Sequence, residues 1–390
     1  MRSGEAGQWW RALLPESDPT GAVTIRAGGC AITVRSDEDG VMEWLHRYLD
    51  GFWQLEPGAA TCPAADVAAV VDRPARQRLW AALAGSGEAE PVTTFMAASG
   101  LRLAGPGPTV LAGCPDHRVA YARDRERLLV VGDDRDGVGL TTVRVVRSVM
   151  TAWLERQQWA HVHAAAAARE DAGLAVLGPK GAGKTAAIMA LATCAGWRVI
   201  AHDRAFLGPA AGPPRLLPWP SSLNIGLGLL DALGWVDVLH ARYRGGELPP
   251  YHQREAVTAA LLAGRRTPVR ADGTELKAQL MPAHVREWLG VGLGSSARLT
   301  AIVFPRIDLS RSRPTVRRLD YRKPTEQDVF PRVGKVDYFP DFLLLTGRTP
   351  AERSRAALAA LEAVAAGVPA YRTVLGSDLA ANANVLVKLV

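Results

Sequence analysis

The chain reads Gly173-Leu-Ala-Val-Leu177 and runs directly into Gly178-Pro-Lys-Gly-Ala-Gly-Lys-Thr185, after which Ala186 to Cys194 is rich in alanine and other helix formers. A short apolar run closed by glycine reads as a buried strand, and the alanine-rich run reads as a helix. The expected order is strand, loop, helix. Glycines at 178, 181 and 183 allow successive backbone N–H groups to converge on one point without side-chain clash. The start of the helix adds its positive end, Lys184 has the reach for β- and γ-phosphates, and the Thr185 hydroxyl suits a Mg²⁺ ion. The spacing G-x-x-x-x-G-K-[ST] arises by chance in long glycine-rich chains, and its place between an apolar strand and a helix is the context that gives it meaning. Gly178, Pro179, Lys180, Gly181, Ala182, Gly183, Lys184, Thr185 and Ala186 are therefore expected to hold the phosphates of ATP or GTP, with Mg²⁺ as the second cofactor.

Such chemistry also needs an acid near the metal. Asp203 stands 19 residues after Lys184, at the end of the next expected strand, Trp197 to Ala201. The alternative, Asp308, follows the buried strand Leu299 to Phe304, but Pro305 and Arg306 intervene. Asp203 is favoured, with Thr185, as the metal-binding pair. Arg204 carries a fork of donors that suits phosphate oxygens, or else serves as a surface ion-pair partner. Lys277 is one of only six lysines, which makes it a candidate phosphate contact, although an exposed helix lysine is the commoner outcome. Trp219, between Pro218 and Pro220, is weighed as a wall of the acceptor site, and Trp9-Trp10 as a docking or core element before a base-stacking platform.

His163, the strand Gly173 to Leu177, the loop Gly178 to Thr185 and the segment Trp197-Arg-Val-Ile-Ala-His-Asp-Arg204 together resemble the kinase core of the HPr kinase/phosphorylase family, which is related to phosphoenolpyruvate carboxykinases. The pattern is similar to that of HPr-kinase-like proteins of actinobacterial biosynthetic settings. The resemblance is strongest over residues 160 to 210 and extends more weakly to the C-terminus. It implies a histidine near the phosphates, for which His163 is in place and His161 is the competitor on the same strand face. Family members commonly carry two successive aspartates after the loop helix, one a base on the acceptor hydroxyl and one assisting the metal. This chain has His202-Asp203 there. The resemblance then implies that Asp203 takes the hydroxyl proton or holds Mg²⁺, with His202 as the replacement base. An imidazole of ordinary pKa, about 6.5, is suited to that task near neutrality.

The expected fold class is α/β: a phosphate-loop kinase core of the HPr kinase and phosphoenolpyruvate carboxykinase type, its loop at the edge of a mostly β sheet, preceded by an α+β domain. The turn-like Gly132-Asp-Asp-Arg-Asp-Gly137 sets the boundary, giving residues 1–138 and 139–390. In the first part, alternation over Ala22 to Val34 predicts a hairpin, the spacing of Val41, Trp44, Leu45, Tyr48 and Leu49 an amphipathic helix, and Arg118 to Val131 further strands. In the second, Thr141 to Gln157 reads as helix, His161 to Ala168 as one strand and the proline-rich Gly208 to Pro220 as loop. Tyr243 to Tyr251 reads as a mobile stretch, Phe342 to Leu345 as a buried strand, Pro350 to Ala366 as helix, and Ala370 to Leu375 as the strand that closes the chain.

With 390 residues and 48% hydrophobic content the chain can bury a large core. No apolar run reaches the roughly 18 to 20 residues that span a bilayer, and no apolar stretch follows the charged start, so a cytoplasmic protein without membrane contact is expected. Cys30, Cys62, Cys114 and Cys194 lie far apart in sequence and are expected to be core residues. The net charge of +7 is spread over arginines and argues against a nucleic-acid partner. The densest run, Arg306 to Arg322, alternates with Asp308 and Asp320 and reads as a solvated face before a polyanion site.

These readings converge on a kinase that moves a γ-phosphoryl group to the hydroxyl of a small-molecule acceptor. The resemblance equally supports a serine on a peptide or carrier protein as acceptor. Loss of the second aspartate keeps open a nucleotide-binding scaffold that transfers nothing. Because family members often assemble, the resemblance also implies a homo-oligomer.

Overall fold

The computed structural model describes residues 21–105, 109–209, 212–247, 253–271, 273–320, 322–329 and 340–390. Trp9-Trp10 and part of the Tyr243 to Tyr251 stretch lie outside these residues. The chain is a mixed α/β protein built as two compact units. The first comprises Met1–His46, Trp53–Gln158 and Pro331–Ala356, and the second Arg47–Phe52, Trp159–Phe330 and Ala357–Val390, counting only the described residues.

In the first unit the strands β1 (Ala22–Ala27) and β2 (Cys30–Arg35) pair antiparallel with Ile25 opposite Ile32. Helix α1 (Asp39–Leu49), which counts with this unit as far as His46, follows and buries Val41, Leu45 and Leu49, the face its spacing predicts. Then come β3 (Gln54–Pro57), β4 (Ala65–Val71), α2 (Arg73–Ala84), β5 (Glu90–Thr93), β6 (Ser99–Ala104), β7 (Thr109–Cys114), β8 (Val119–Asp124), β9 (Arg127–Gly132) and α3 (Arg135–Arg156). The nine strands form one sheet in the order β3-β1-β2-β4-β9-β8-β7-β6-β5. The expected boundary at 138/139 falls inside α3, which the Asp134 carboxylate caps by accepting from the Gly137 N–H at 2.8 Å. One division between the compact units falls after that helix, between Gln158 and Trp159. Within the same unit Glu155, at the end of α3, accepts two hydrogen bonds of 3.0 Å from Arg353, whose side chain is 1% exposed.

Phe342 to Leu345 is not the strand its apolar run predicts. Leu344 takes a positive φ of 52°, and the Asp341 carboxylate accepts from the backbone N–H groups of Leu345, Thr346 and Gly347. The segment turns, and it is buried for another reason: the Phe342 ring meets Phe95 and Tyr121 edge-on, each at 5.0 Å.

The second unit contains β10 (Ala160–Val162), β11 (Ala164–Arg169), β12 (Ala172–Leu177), α4 (Lys184–Ala195), β13 (Arg198–Ala201), β14 (Ala205–Gly208), β15 (Arg215–Pro218) and β16 (Leu223–Gly226). The helices α5 (Leu227–Ala232), α6 (Trp235–Arg244) and α7 (Glu255–Leu262) follow, then β17 (Val269–Ala271), β18 (Thr274–Leu280) and α8 (Pro282–Glu287). The chain continues through β19 (Ala297–Ile307), β20 (Thr315–Leu319), α9 (Pro350–Ala365), which counts with the first unit as far as Ala356, β21 (Ala370–Leu375) and α10 (Leu379–Val387). The main sheet runs β10-β14-β15-β19-β12-β11-β13. The long strand β19 serves one further neighbour: β15 pairs with its first residues and β21, followed by β20, with its C-terminal half.

Several expectations change here. Part of the proline-rich stretch is strand β15, because Pro218 sits at a strand end where a missing N–H costs nothing. Lys277 is exposed on strand β18, not on a helix. The last element is helix α10, which packs on α4. His161 to Ala168 is two strands with different neighbours, β10 on β14 and β11 on β12, and the chain changes partner at His163. The five alanines of β11 favour helix intrinsically; buried between two strands, their small side chains instead let α4 approach the sheet. Of the cysteines, Cys30 and Cys114 are buried but Cys62 and Cys194 are exposed.

Candidate functional site

Strand β12 lies inside the sheet, parallel to β19 and antiparallel to β11, so the glycine loop leaves a central strand and not the edge that was expected. Gly178, Gly181 and Gly183 have φ of 150°, 85° and 105°. At Gly183 a side chain is excluded twice over: the backbone is left-handed, and a Cβ would lie 2.6 Å from Cγ1 of Ile307 on the neighbouring strand. Lys184 opens α4, is nearly buried, and folds its ammonium back over the loop. Nζ donates to the Gly178 carbonyl at 2.7 Å and to the Pro179 carbonyl at 3.2 Å. Those two acceptors satisfy a buried cation. Pro179, Lys180 and Gly181 are exposed, while Ala182, Thr185 and Ala186 are half-buried.

Strand register carries two more segments to the same end of the sheet. Ala164 pairs with Leu177, so His163 stands alongside Gly178. Ala201 pairs with Ala166 on the other side of β11, and the chain then continues to His202, Asp203 and Arg204. His163 Nε2 is 3.3 Å from Asp203 Oδ1, and Arg204 Nε is 3.4 Å from Asp203 Oδ2. The backbone N–H of His163 donates to the Asp328 carbonyl at 2.9 Å. Asp328 is itself fixed by Arg322 and by the Thr325 N–H and hydroxyl. Burial works against ionising Asp203, but the hydrogen bond from His163 and the positive charge of Arg204 overcome it and hold the carboxyl well below the usual range. Its side chain is still 40% exposed. The result is an accessible carboxylate that stays ionised.

Arg204 does not lie on the surface as an ordinary ion-pair partner. Its guanidinium sits 4.4 Å over the Trp219 ring, and its side chain is only 9% exposed. Trp219 in turn neighbours His161 at 5.8 Å, and His161 stacks on Phe206 at 4.9 Å. His161 and His163 therefore part company: one belongs to this aromatic stack and the other faces Asp203. Trp219 is the floor under Arg204, a role that no local pattern signals, since its ring and that arginine are separated by a strand pair.

His202 turns elsewhere. Its Nε2 lies 3.5 Å from Ser221 Oγ, and its ring borders a small cavity with Phe52, Met189, Val199, Leu223 and Val285. Burial pushes the imidazole down to about 4, with Arg204 and Lys277 adding to the fall and Asp203 opposing it. Asp308 ends β19 near the loop, but its carboxylate is held by Ser310 and Arg311. Sequence reading missed Asp328, although Thr325-x-x-Asp328 is a capping-box pattern and forms one here.

Among the described residues no group of three His, Cys, Asp or Glu side chains is placed to hold a metal ion by itself. A Mg²⁺ ion needs only one or two protein oxygens when phosphates and water supply the rest. The Thr185 hydroxyl and the ionised Asp203 carboxylate are oxygen donors of the right hardness, so the residues fit such an ion. Among the described residues no helix is long and apolar enough to cross a membrane. Scanned against models of known protein families the chain matches none, and a search of curated proteins returns no match.

Proposed function

We propose that the protein is a nucleotide-dependent phosphotransferase that uses ATP or GTP with Mg²⁺ and a hydroxyl acceptor. The observation that carries this is the meeting, at one sheet end, of the glycine loop with the His163, Asp203 and Arg204 cluster. The resemblance of these same segments to the HPr kinase/phosphorylase core supports it. In this reading the loop N–H groups and the start of α4 bind the phosphates, and Lys184 moves from the Gly178 and Pro179 carbonyls to the phosphate oxygens. Thr185 and Asp203 would hold Mg²⁺, which neutralises charge on the transferring group when bound. Arg204, held over Trp219 beside Asp203, adds its positive charge near the same group.

The acceptor hydroxyl needs a group that orients it and takes its proton. Asp203 is open to solvent and ionised; His202 is neutral at pH 7 but faces Ser221 and an apolar cavity, and a pKa near 4 makes it a poor acceptor. We therefore assign the role to Asp203, with His163 fixing its carboxylate. A carboxylate of low pKa suffices if the proton moves late, because phosphoryl transfer depends mainly on positioning and charge.

The test is transfer of labelled phosphate from ATP and GTP, with Mg²⁺, to a panel of hydroxyl metabolites and serine peptides. Lys184→Ala is expected to lose nucleotide affinity and turnover together. Asp203→Asn is expected to keep nucleotide affinity and lose transfer by about 10² to 10⁴. Undiminished transfer in Asp203→Asn would remove Asp203 from the mechanism, and unchanged nucleotide binding in Lys184→Ala would remove the phosphotransferase reading altogether.

A further inference from the structure

The arginine-rich stretch after β19 reads, by sequence, as a solvated face. The register of β19, β21 and β20 places it differently. Phe304 pairs with Arg372, and Arg372 pairs with Arg317, so one row across three strands reads Phe304, Arg372, Arg317. The next position on the same face of β19 is Arg306, opposite Val374. Arg306, Arg317 and Arg372 are all exposed, and none of them forms an ion pair among the described residues. Beside them Arg322 lies 4.0 Å over the Phe304 ring and borders a cleft floored by Leu177, Ile302 and Phe304.

Two features set this apart from an ordinary charged surface. Arg372 and Arg317 are directly opposite, with Cβ atoms about 5 Å apart in such a pair, and like charges so placed destabilise a sheet. An edge strand commonly carries charge to discourage unwanted pairing. That explains Arg317, because among the described residues β20 pairs only with β21. It does not explain Arg372 on β21, which has a strand on each side. The repulsion persists in the free protein and is relieved by an acidic side chain placed beside Arg317, at the end of the row.

We propose that β20 and the arginine row form a docking surface for an acidic polypeptide segment in extended conformation, which adds as a strand to the outer edge of β20. Main-chain hydrogen bonds to that edge give affinity, and acidic side chains at alternate positions fall on the arginine face. Arg306 lies between Pro305 and Ile307, the residues that flank Gly178 and Gly183, so the docked segment runs past the level of the glycine loop. That such a segment also carries the acceptor hydroxyl rests on the phosphotransferase reading; the docking itself does not.

The experiment is fluorescence anisotropy without nucleotide, using a fluorescein-labelled peptide of alternating Glu and Thr. Controls are a blocked isomer with all Glu residues together and a single-stranded oligonucleotide of similar charge. The alternating peptide is expected to bind at least about tenfold more tightly than the blocked isomer, and Arg317→Gln or Arg372→Gln to weaken it about tenfold. Arg169→Gln, exposed at the far end of β11, is expected to change nothing. Each row variant should also melt at a higher temperature than wild type, because one of the opposed charges is gone. Equal binding of the two isomers would reduce the face to unspecific charge, tighter binding of the oligonucleotide would make it a nucleic-acid surface, and no binding of any probe would remove it. All three outcomes leave the Lys184 and Asp203 tests standing.

Discussion

Replacing His202 with leucine should remove a defined part of the protein's acid sensitivity. His202 and His284 are both buried, and burial pushes each imidazole from its usual 6.5 down to about 4. His284 lies against the Trp288 ring at 3.7 Å, with the Arg47 guanidinium 3.5 Å from Nε2 adding to the fall. A histidine held neutral in the fold takes up a proton more readily when unfolded. Its stabilising effect is therefore complete above pH 6.5 and is lost as the pH falls through the folded value near 4. Integrating between those limits, each histidine should cost roughly 2 kcal/mol of stability on going from pH 7.5 to pH 5, and the pair roughly 4. Asp203 adds nothing to that change, since a depressed carboxyl stays ionised throughout the window. The measurement is urea unfolding followed by circular dichroism at both pH values, for wild type, His202→Leu, His284→Leu and the double variant. Leucine suits the apolar lining around His202, so the protein should remain folded. Each single variant should lose about half of the pair's effect. A smaller slope should persist in the double variant, because burial and Arg144 also lower His117 in the first unit. A His202→Leu protein with the full wild-type pH dependence would refute the reasoning, since it would mean that His202 is already protonated or freely solvated in the fold.

Gly183→Ala is expected to destabilise the second unit by about 2 to 5 kcal/mol, combining left-handed strain with the clash at Ile307; a thermal melt reads it, and a change below about 0.5 kcal/mol would show that the loop relaxes freely. Arg353→Met, which strands the Glu155 carboxylate in the first unit, should cost about 3 to 5 kcal/mol, while Arg353→Met combined with Glu155→Leu should recover most of it. If the double variant is no better than the single one, burial of an unpaired charge is not the cause.

The parts of this molecule that sequence reading reached are those decided over a few residues. The strand before the loop, the glycine positions and the helix that Lys184 opens follow from local propensity and sterics. What distant segments decide was out of reach. Nothing near residue 219 announces that Trp219 will underlie Arg204, and nothing near residue 317 announces Arg372 as its neighbour. Phe342 to Leu345 misled for the same reason: an apolar run is compatible with any buried conformation, and the Asp341 carboxylate chose a turn. His161 to Ala168 has the periodicity of one strand, but pairing with β14 before His163 and with β12 and β13 after it splits the run there.

The close fit of Ile307 to Gly183 has a temporal side. The loop is translated more than a hundred residues before the strand that walls it, so a nascent chain that has emerged only as far as α8 carries the glycine sequence without its neighbour. Contacts of such long separation form late, after their loop-closure entropy has been met. The loop acquires its shape only after β19 has been made, and a chain truncated before Ala297 would display the motif in full while lacking the wall that gives it form.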